Sequence, residues 1–129
     1  QRYLSPVELV ELASISGATI GAHGNTHIPL TTLSDIRMLQ EIKESKHSLE
    51  QILQTSIHTM SYPFGMVNDD VRAATEKTGF TQVACSKWGF VTPSTDRLMQ
   101  PRVDIWRGDS KRTYLQKLAG NWNWFSRIT

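Results

Sequence analysis

The stretch IGAHGNTH, residues 20–27, runs from a short apolar segment into two histidines, His23 and His27. Its glycines and asparagine tolerate a left-handed backbone, and Pro29 blocks a continuing helix, so the stretch is typical of a strand that ends in a tight loop. Two imidazoles on such a loop can converge on one metal ion, because neutral imidazole nitrogen is a good ligand for zinc and related divalent metals. The spacing alone fits two ordinary polar loop residues equally well, so it does not decide between these interpretations.

The length and composition of the chain indicate one domain over residues 1–129, which is long enough to form a hydrophobic core. A net charge of +2, from 14 basic and 12 acidic residues, gives no argument for a nucleic-acid partner. No apolar run approaches the length of a membrane span. The single cysteine, Cys85, excludes an internal disulfide and a cysteine-based zinc site.

Four helices are predicted from capping residues and from apolar spacings of three and four. They begin at Ser5-Pro6, Ser34-Asp35, Asn68, and Asp109 or Ser110, and they end near Gly17, Leu53, Thr78 and Gly120. The first helix is expected to carry an apolar face that includes Val7 and Val10. In the second helix, charged residues such as Glu41 are expected to point away from the core.

Strands are predicted at residues 18–22, 57–61 and 80–85, with a further short strand within residues 98–105, after an irregular loop at 87–97. Alternating helices and strands predict an α/β fold with a mainly parallel sheet. Active sites in such folds lie at the carboxyl ends of the strands. The histidine loop and the turn at residues 62–65 both follow strands, so they are expected to share this edge.

These motifs, in this order, resemble those of polysaccharide deacetylases, the NodB-homology domain of carbohydrate esterase family four. The family's second motif is similar to residues 20–27, and its third motif is similar to residues 61–65, SYPFG. The helix between them resembles the family's linking helix, and Thr78-Gly79-Phe80 and Pro101-Arg102 also fit. The resemblance runs from about residue 2 to residue 105.

The resemblance implies a distorted (β/α) barrel, incomplete in this chain, that removes N-acetyl or O-acetyl groups from a polysaccharide or oligosaccharide with a divalent metal, usually zinc. His23 and His27 match the two histidine metal ligands. The backbone N–H of Phe64 matches a donor to the reaction's oxyanion. Arg102 matches an arginine that orients the catalytic aspartate.

The chain departs from the family at several motifs. The aspartate pair of the first motif is missing, because no aspartate precedes Ile20, and no histidine follows His58 to supply the last motif. Gly24 stands where the family has serine or threonine. We therefore expect that an N-terminal part that carries the aspartate pair is lacking, that the histidine of the last motif is missing or replaced, and that the chain alone is inactive or weakly active. An open sheet edge would also allow a homodimer.

Two other interpretations stay open. The chain could be a non-catalytic relative that binds glycans through the rings of Trp88, Trp106, Trp122 or Trp124, or a structural fragment with an incidental histidine pair. The family also suggests an extracytoplasmic or cell-envelope location.

Overall fold

The computed structural model describes residues 3–122. The helices are α1 (Pro6–Ser14), α2 (Asp35–Leu53), α3 (Asp69–Lys77) and α4 (Lys111–Leu118). The strands are β1 (Thr59–Ser61), β2 (Gln82–Trp88) and β3 (Gln100–Arg102), and short 3-10 turns cover Leu30–Thr32 and Pro63–Gly65. None of the helices in this part of the chain has the length and apolar character needed to cross a bilayer.

Three of the four described helices begin with a side-chain cap at a predicted residue, whereas Ser34, the predicted cap of α2, makes no side-chain capping hydrogen bond. Ser5 and Glu8 form a reciprocal capping box at α1, and the side chain of Asn68 accepts the N–H of Val71 at the start of α3. At α4 the cap is Ser110, whose hydroxyl oxygen accepts the N–H of Thr113. These contacts involve only near neighbours in sequence, which is why local patterns could predict them.

The three strands form a parallel sheet in the order β1-β2-β3. This arrangement confirms the predicted α/β class with a parallel sheet. β2 starts later than the predicted strand at residues 80–85. It also ends later, because Trp88 still pairs with Arg102 beyond an irregularity in the register. The predicted loop therefore begins after Trp88.

The predicted strand at residues 18–22 is wrong except at Ala22. This residue forms one parallel bridge with Met60: its N–H donates to the Thr59 carbonyl at 2.9 Å, and its carbonyl accepts from Ser61 at 2.9 Å. One residue pair earlier, the Ile20 carbonyl meets the Thr59 side-chain hydroxyl at 3.4 Å. A contact with a side chain does not continue a backbone ladder, so the pairing stops after a single bridge.

The core lies between the sheet and the helices α2 and α3. Its completely covered side chains include Leu30, Ile42, Tyr62, Val71 and Val83. Each large apolar side chain buried in this way contributes about 1.5–3 kcal/mol relative to exposure. The core therefore fixes β1 and α2, the two elements that the histidine loop contacts through Ser61 and Glu41.

The predicted apolar face of α1 is largely exposed in the structure. This helix contains no buried residue, and Val7 and Val10 are 68% and 47% exposed. The helix packs against α2, and that contact covers only part of its circumference. Its amphipathic pattern is real, but the described residues leave most of the apolar side open.

Two of the four tryptophans pack around Lys117. Its ammonium nitrogen lies 5.7 Å from the ring centroids of both Trp88 and Trp122, and it donates to Asp109 at 2.7 Å. This hydrogen bond lowers the pKa of Asp109. The cluster ties α4 to the end of β2. Trp106 is 68% exposed, whereas Trp124 lies outside the described residues.

Candidate active site

His23 follows the Ala22 bridge directly, and β1 fixes its ring. The His23 Nδ1 lies 2.8 Å from the carbonyl oxygen of Ser61 and 2.9 Å from that residue's hydroxyl. A carbonyl can only accept, so this contact places a proton on Nδ1, and in the neutral tautomer with that proton Nε2 carries the lone pair that a metal can bind. Metal-binding histidines are oriented in this way, with one ring nitrogen donating to the protein and the other free for the ion.

His27 closes the same loop and brings the second imidazole to the first. Its φ of 58° is left-handed, which is uncommon for a residue with a side chain. Its ring centroid lies 4.9 Å from that of His23 and 4.7 Å from that of Phe64. The structure thus brings together the two predicted metal ligands and one further predicted site residue.

The turn after β1 lies beneath the histidine loop. Phe64 has a left-handed φ of 57°, and its side chain is 58% exposed. Gly24 has a φ of 77°, and a Cβ there would lie 3.0 Å from the Pro63 ring. A serine or threonine at position 24 would therefore crowd the turn, which gives a physical reason for glycine at this position.

Glu41 also belongs to the site, and the prediction that it points away from the core is wrong. It is only 3% exposed, and its carboxylate accepts the backbone N–H groups of Asn25 at 3.1 Å and Thr26 at 2.9 Å. The Thr26 hydroxyl donates to its second oxygen at 2.9 Å. These three donors compensate the cost of burying a charge. Its position three residues after the buried Met38 was a signal that could have identified it.

Arg102 ends β3 at the same edge of the sheet. Its Nε donates to the carbonyl of Cys85 at 3.3 Å, and its side chain is exposed. Within residues 3–122, no carboxylate lies within ion-pair distance of this guanidinium. Its predicted role, orienting a catalytic aspartate, stays a prediction.

The described residues bring two candidate metal ligands together, His23 and His27. Between residues 3 and 122, no group of three or more histidine, cysteine, aspartate or glutamate side chains is placed to hold a metal ion. The paired imidazoles of His23 and His27 are two candidate nitrogen ligands, and the Nδ1 contact of His23 fits the orientation that a divalent metal requires. A complete catalytic site of this chemistry needs at least one more protein ligand.

The chain belongs to the polysaccharide deacetylase family, whose family model matches residues 2–83, more than half of its length. It is 31% identical over 81 residues to the poly-beta-1,6-N-acetyl-D-glucosamine N-deacetylase of Staphylococcus epidermidis, covering 63% of this chain and 28% of that relative. It is 30% identical over 82 residues to chitin deacetylase 1 of Cryptococcus neoformans, covering 64% of this chain and 17% of that relative.

The fold agrees with this assignment. The Streptococcus pyogenes deacetylase PplD, solved in complex with acetate, superposes with a TM-score of 0.82 at 22% identity, covering 88% of this chain and 50% of that structure. At this identity the match shows the fold alone. The parallel sheet with its covering helices is therefore an incomplete deacetylase-type barrel, as the sequence predicted.

Proposed function

We propose that this chain forms part of a metal-dependent hydrolase that removes N-acetyl groups from a polysaccharide, with His23 and His27 as metal ligands. The observation that carries the proposal is the fixed Nδ1 of His23, 2.8 Å from the Ser61 carbonyl, with the His27 ring beside it. The names of the two relatives above both specify N-deacetylation or chitin, so an N-acetylated sugar polymer is the substrate class that we favour.

The site residues have distinct roles in this proposal. A divalent metal, for which zinc suits the imidazole donors best, would supply an activated water and polarise the acetyl carbonyl. The backbone N–H of Phe64 would donate to the oxyanion that develops on that carbonyl, a contribution of about 3 kcal/mol for one such donor. Arg102 would hold the carboxylate that accepts the proton of water.

That carboxylate and the third metal ligand are not among the described residues. We propose that they are supplied from outside this sequence and that the 129-residue chain alone has little or no deacetylase activity. Loss of a general base and a metal ligand removes both the proton acceptor and part of the electrostatic stabilisation. Metal binding is thus a more direct test than turnover.

The test is calorimetric titration of the chain with Zn²⁺, alongside His23→Ala, His27→Ala and the control His58→Ala. His58 is exposed, and its carbonyl accepts the backbone N–H groups of Thr81 and Gln82, so this variant keeps its backbone contacts and the histidine loop. We expect binding by the parent and the control, and a loss of about 100-fold or more in the other two variants. Zinc binding that survives in His23→Ala and His27→Ala would contradict the assignment of these ligands.

A second candidate is glycan binding without catalysis. It is favoured by the exposed rings of Trp106 and Phe64, which are 68% and 58% accessible and could stack on sugars. The two functions are distinguished by titration with an N-acetylated chito-oligosaccharide in the presence of a chelator. Metal-independent binding that is lost in Trp106→Ala would favour the binding module.

A further inference from the structure

We infer that Glu41 is a positioning residue for the histidine pair: its buried carboxylate fixes the loop between His23 and His27 and thereby sets the geometry in which they bind a divalent cation. The statement that the histidine pair binds a cation rests on the proposed function above. The statement that Glu41 fixes the loop rests only on its three hydrogen bonds.

The first step of the argument is where the hydrogen bonds of Glu41 go. All three come from Asn25 and Thr26, the residues that immediately precede His27. One oxygen accepts two consecutive backbone N–H groups, and the other accepts the Thr26 hydroxyl. Bonds to a charged acceptor are about twice as strong as bonds between neutral groups. The carboxylate therefore holds both the backbone and a side chain of the loop.

The second step concerns the backbone of His27. Its left-handed φ of 58° is a disfavoured conformation that persists only when its surroundings enforce it. On the N-terminal side of His27, Glu41 clamps Thr26, and on the ring side, Phe64 packs at 4.7 Å. Without the clamp, the loop can relax to a more ordinary φ and carry the His27 imidazole away from that of His23.

The third step separates Glu41 from its neighbour Glu44. Glu44 is exposed, and its contact with the loop is through the Asn25 side-chain amide at 2.9 Å. A solvated contact between side chains can exchange with water at little cost. Of these two acids on α2, only Glu41 binds the backbone of the loop from inside the protein.

The test compares zinc affinity in the parent chain, Glu41→Gln and Glu50→Gln by calorimetry. Glu50 is the matched control, because it lies on the same helix, is half-buried, and accepts the backbone N–H of Ile57 at 2.9 Å. We expect zinc binding about tenfold weaker in Glu41→Gln, as for other residues that orient metal ligands. Zinc affinity in Glu50→Gln should stay within about twofold of the parent, even if both variants unfold at lower temperature.

A metal-free measurement keeps the inference separate from the proposed function. Amide hydrogen exchange at Asn25 and Thr26 should be several-fold faster in Glu41→Gln, and faster still in Glu41→Ala, than in the parent or in Glu50→Gln. If the parent binds no zinc, the proposed metal ligation fails, whereas the exchange rates still decide whether Glu41 fixes the loop. Unchanged exchange, or unchanged zinc affinity in Glu41→Gln, would overturn the inference.

Discussion

The rings of His27 and Phe64 lie 4.7 Å apart, and both residues hold a left-handed backbone, with φ of 58° and 57°. Each comes from a different loop, and the two loops meet where the chain leaves the carboxyl end of the sheet. Such conformations cost about 1–2 kcal/mol for residues with a Cβ. The contact therefore joins two backbone segments that are both held away from their preferred conformations.

Substitution of Phe64 separates the ring contact from the backbone strain. Alanine removes the ring and keeps the Cβ, whereas glycine removes both. Because glycine adopts positive φ without the steric cost, we expect Phe64→Gly to be more stable than Phe64→Ala by about 1 kcal/mol. Urea unfolding of the two variants measures this difference directly. Equal stability would mean that the left-handed conformation is relaxed in solution.

The contact between Ser61 and His23 predicts a graded effect on zinc binding. Ser61→Ala deletes the hydroxyl at 2.9 Å from Nδ1 but leaves the backbone carbonyl at 2.8 Å. We expect a reduction of less than about tenfold in zinc affinity, because one orienting partner survives. Calorimetric titration of both variants with Zn²⁺ measures this reduction, and the loss of affinity in His23→Ala is the reference for comparison. A loss as large as that of His23→Ala would show that the hydroxyl, rather than the carbonyl, orients the ring.

Gly65 makes the closest approach of the turn to β2. A Cβ at this position would lie 1.8 Å from the Ser86 hydroxyl oxygen and 2.5 Å from its backbone nitrogen, and φ is +66°. Overlap with backbone cannot be relieved by a side-chain rotation, so Gly65→Ala should cost about 3 kcal/mol or more in unfolding free energy.

Gly17 is the matched control for this substitution. Its φ is +86°, and nothing lies within 4 Å of an added Cβ. Gly17→Ala should therefore cost only the backbone strain, about 1 kcal/mol. Chemical denaturation measures the unfolding free energy of both variants. Similar losses of unfolding free energy in Gly65→Ala and Gly17→Ala would argue against the close packing of the turn on Ser86.

The ion pair between Arg72 and Asp96 predicts a pH dependence of stability. The Arg72 side chain and then the Leu98 N–H hold the pKa of Asp96 below its ordinary value of 3.8. A lowered folded-state pKa stabilises the fold above the unfolded pKa, and this stabilisation disappears as the pH falls through the folded pKa.

The parent should therefore lose its stability advantage over Asp96→Asn as the pH falls from about 6 toward about 2, a range of about two units on either side of the ordinary aspartate pKa of 3.8. The advantage should be small, because the pair is partly solvated, with 39% of the Asp96 side chain exposed. Thermal unfolding at several pH values tests this prediction, and Arg72→Gln provides the control. An advantage that is constant across the range would contradict a lowered pKa.

Local signals in the sequence predicted the elements that local contacts build. Ser5, Asn68 and Ser110 cap their helices through residues three positions away, so the capping pattern was sufficient. The histidine pair and the turn at residues 62–65 were also recognisable as motifs. The α/β class followed from the alternation of these elements.

Contacts between distant segments could not be predicted in the same way. The strand pairing stops at Ala22 because the preceding contact is made by the Thr59 hydroxyl, on another strand, and not by a backbone group. The orientation of the His23 ring depends on Ser61. The burial of Glu41 depends on donors from a loop that precedes its own helix. In each case the deciding partner lies on a different element, and no periodicity within one segment contains that information.

The single bridge at Ala22 also has a consequence for the order of folding. Its two hydrogen bonds, with Thr59 and Ser61, enclose the whole of α2 within the intervening chain. Closing so long a segment is entropically costly until the helix that it contains has packed. We therefore expect the His23 ring to reach the Ser61 carbonyl, and so to become ordered, late in folding.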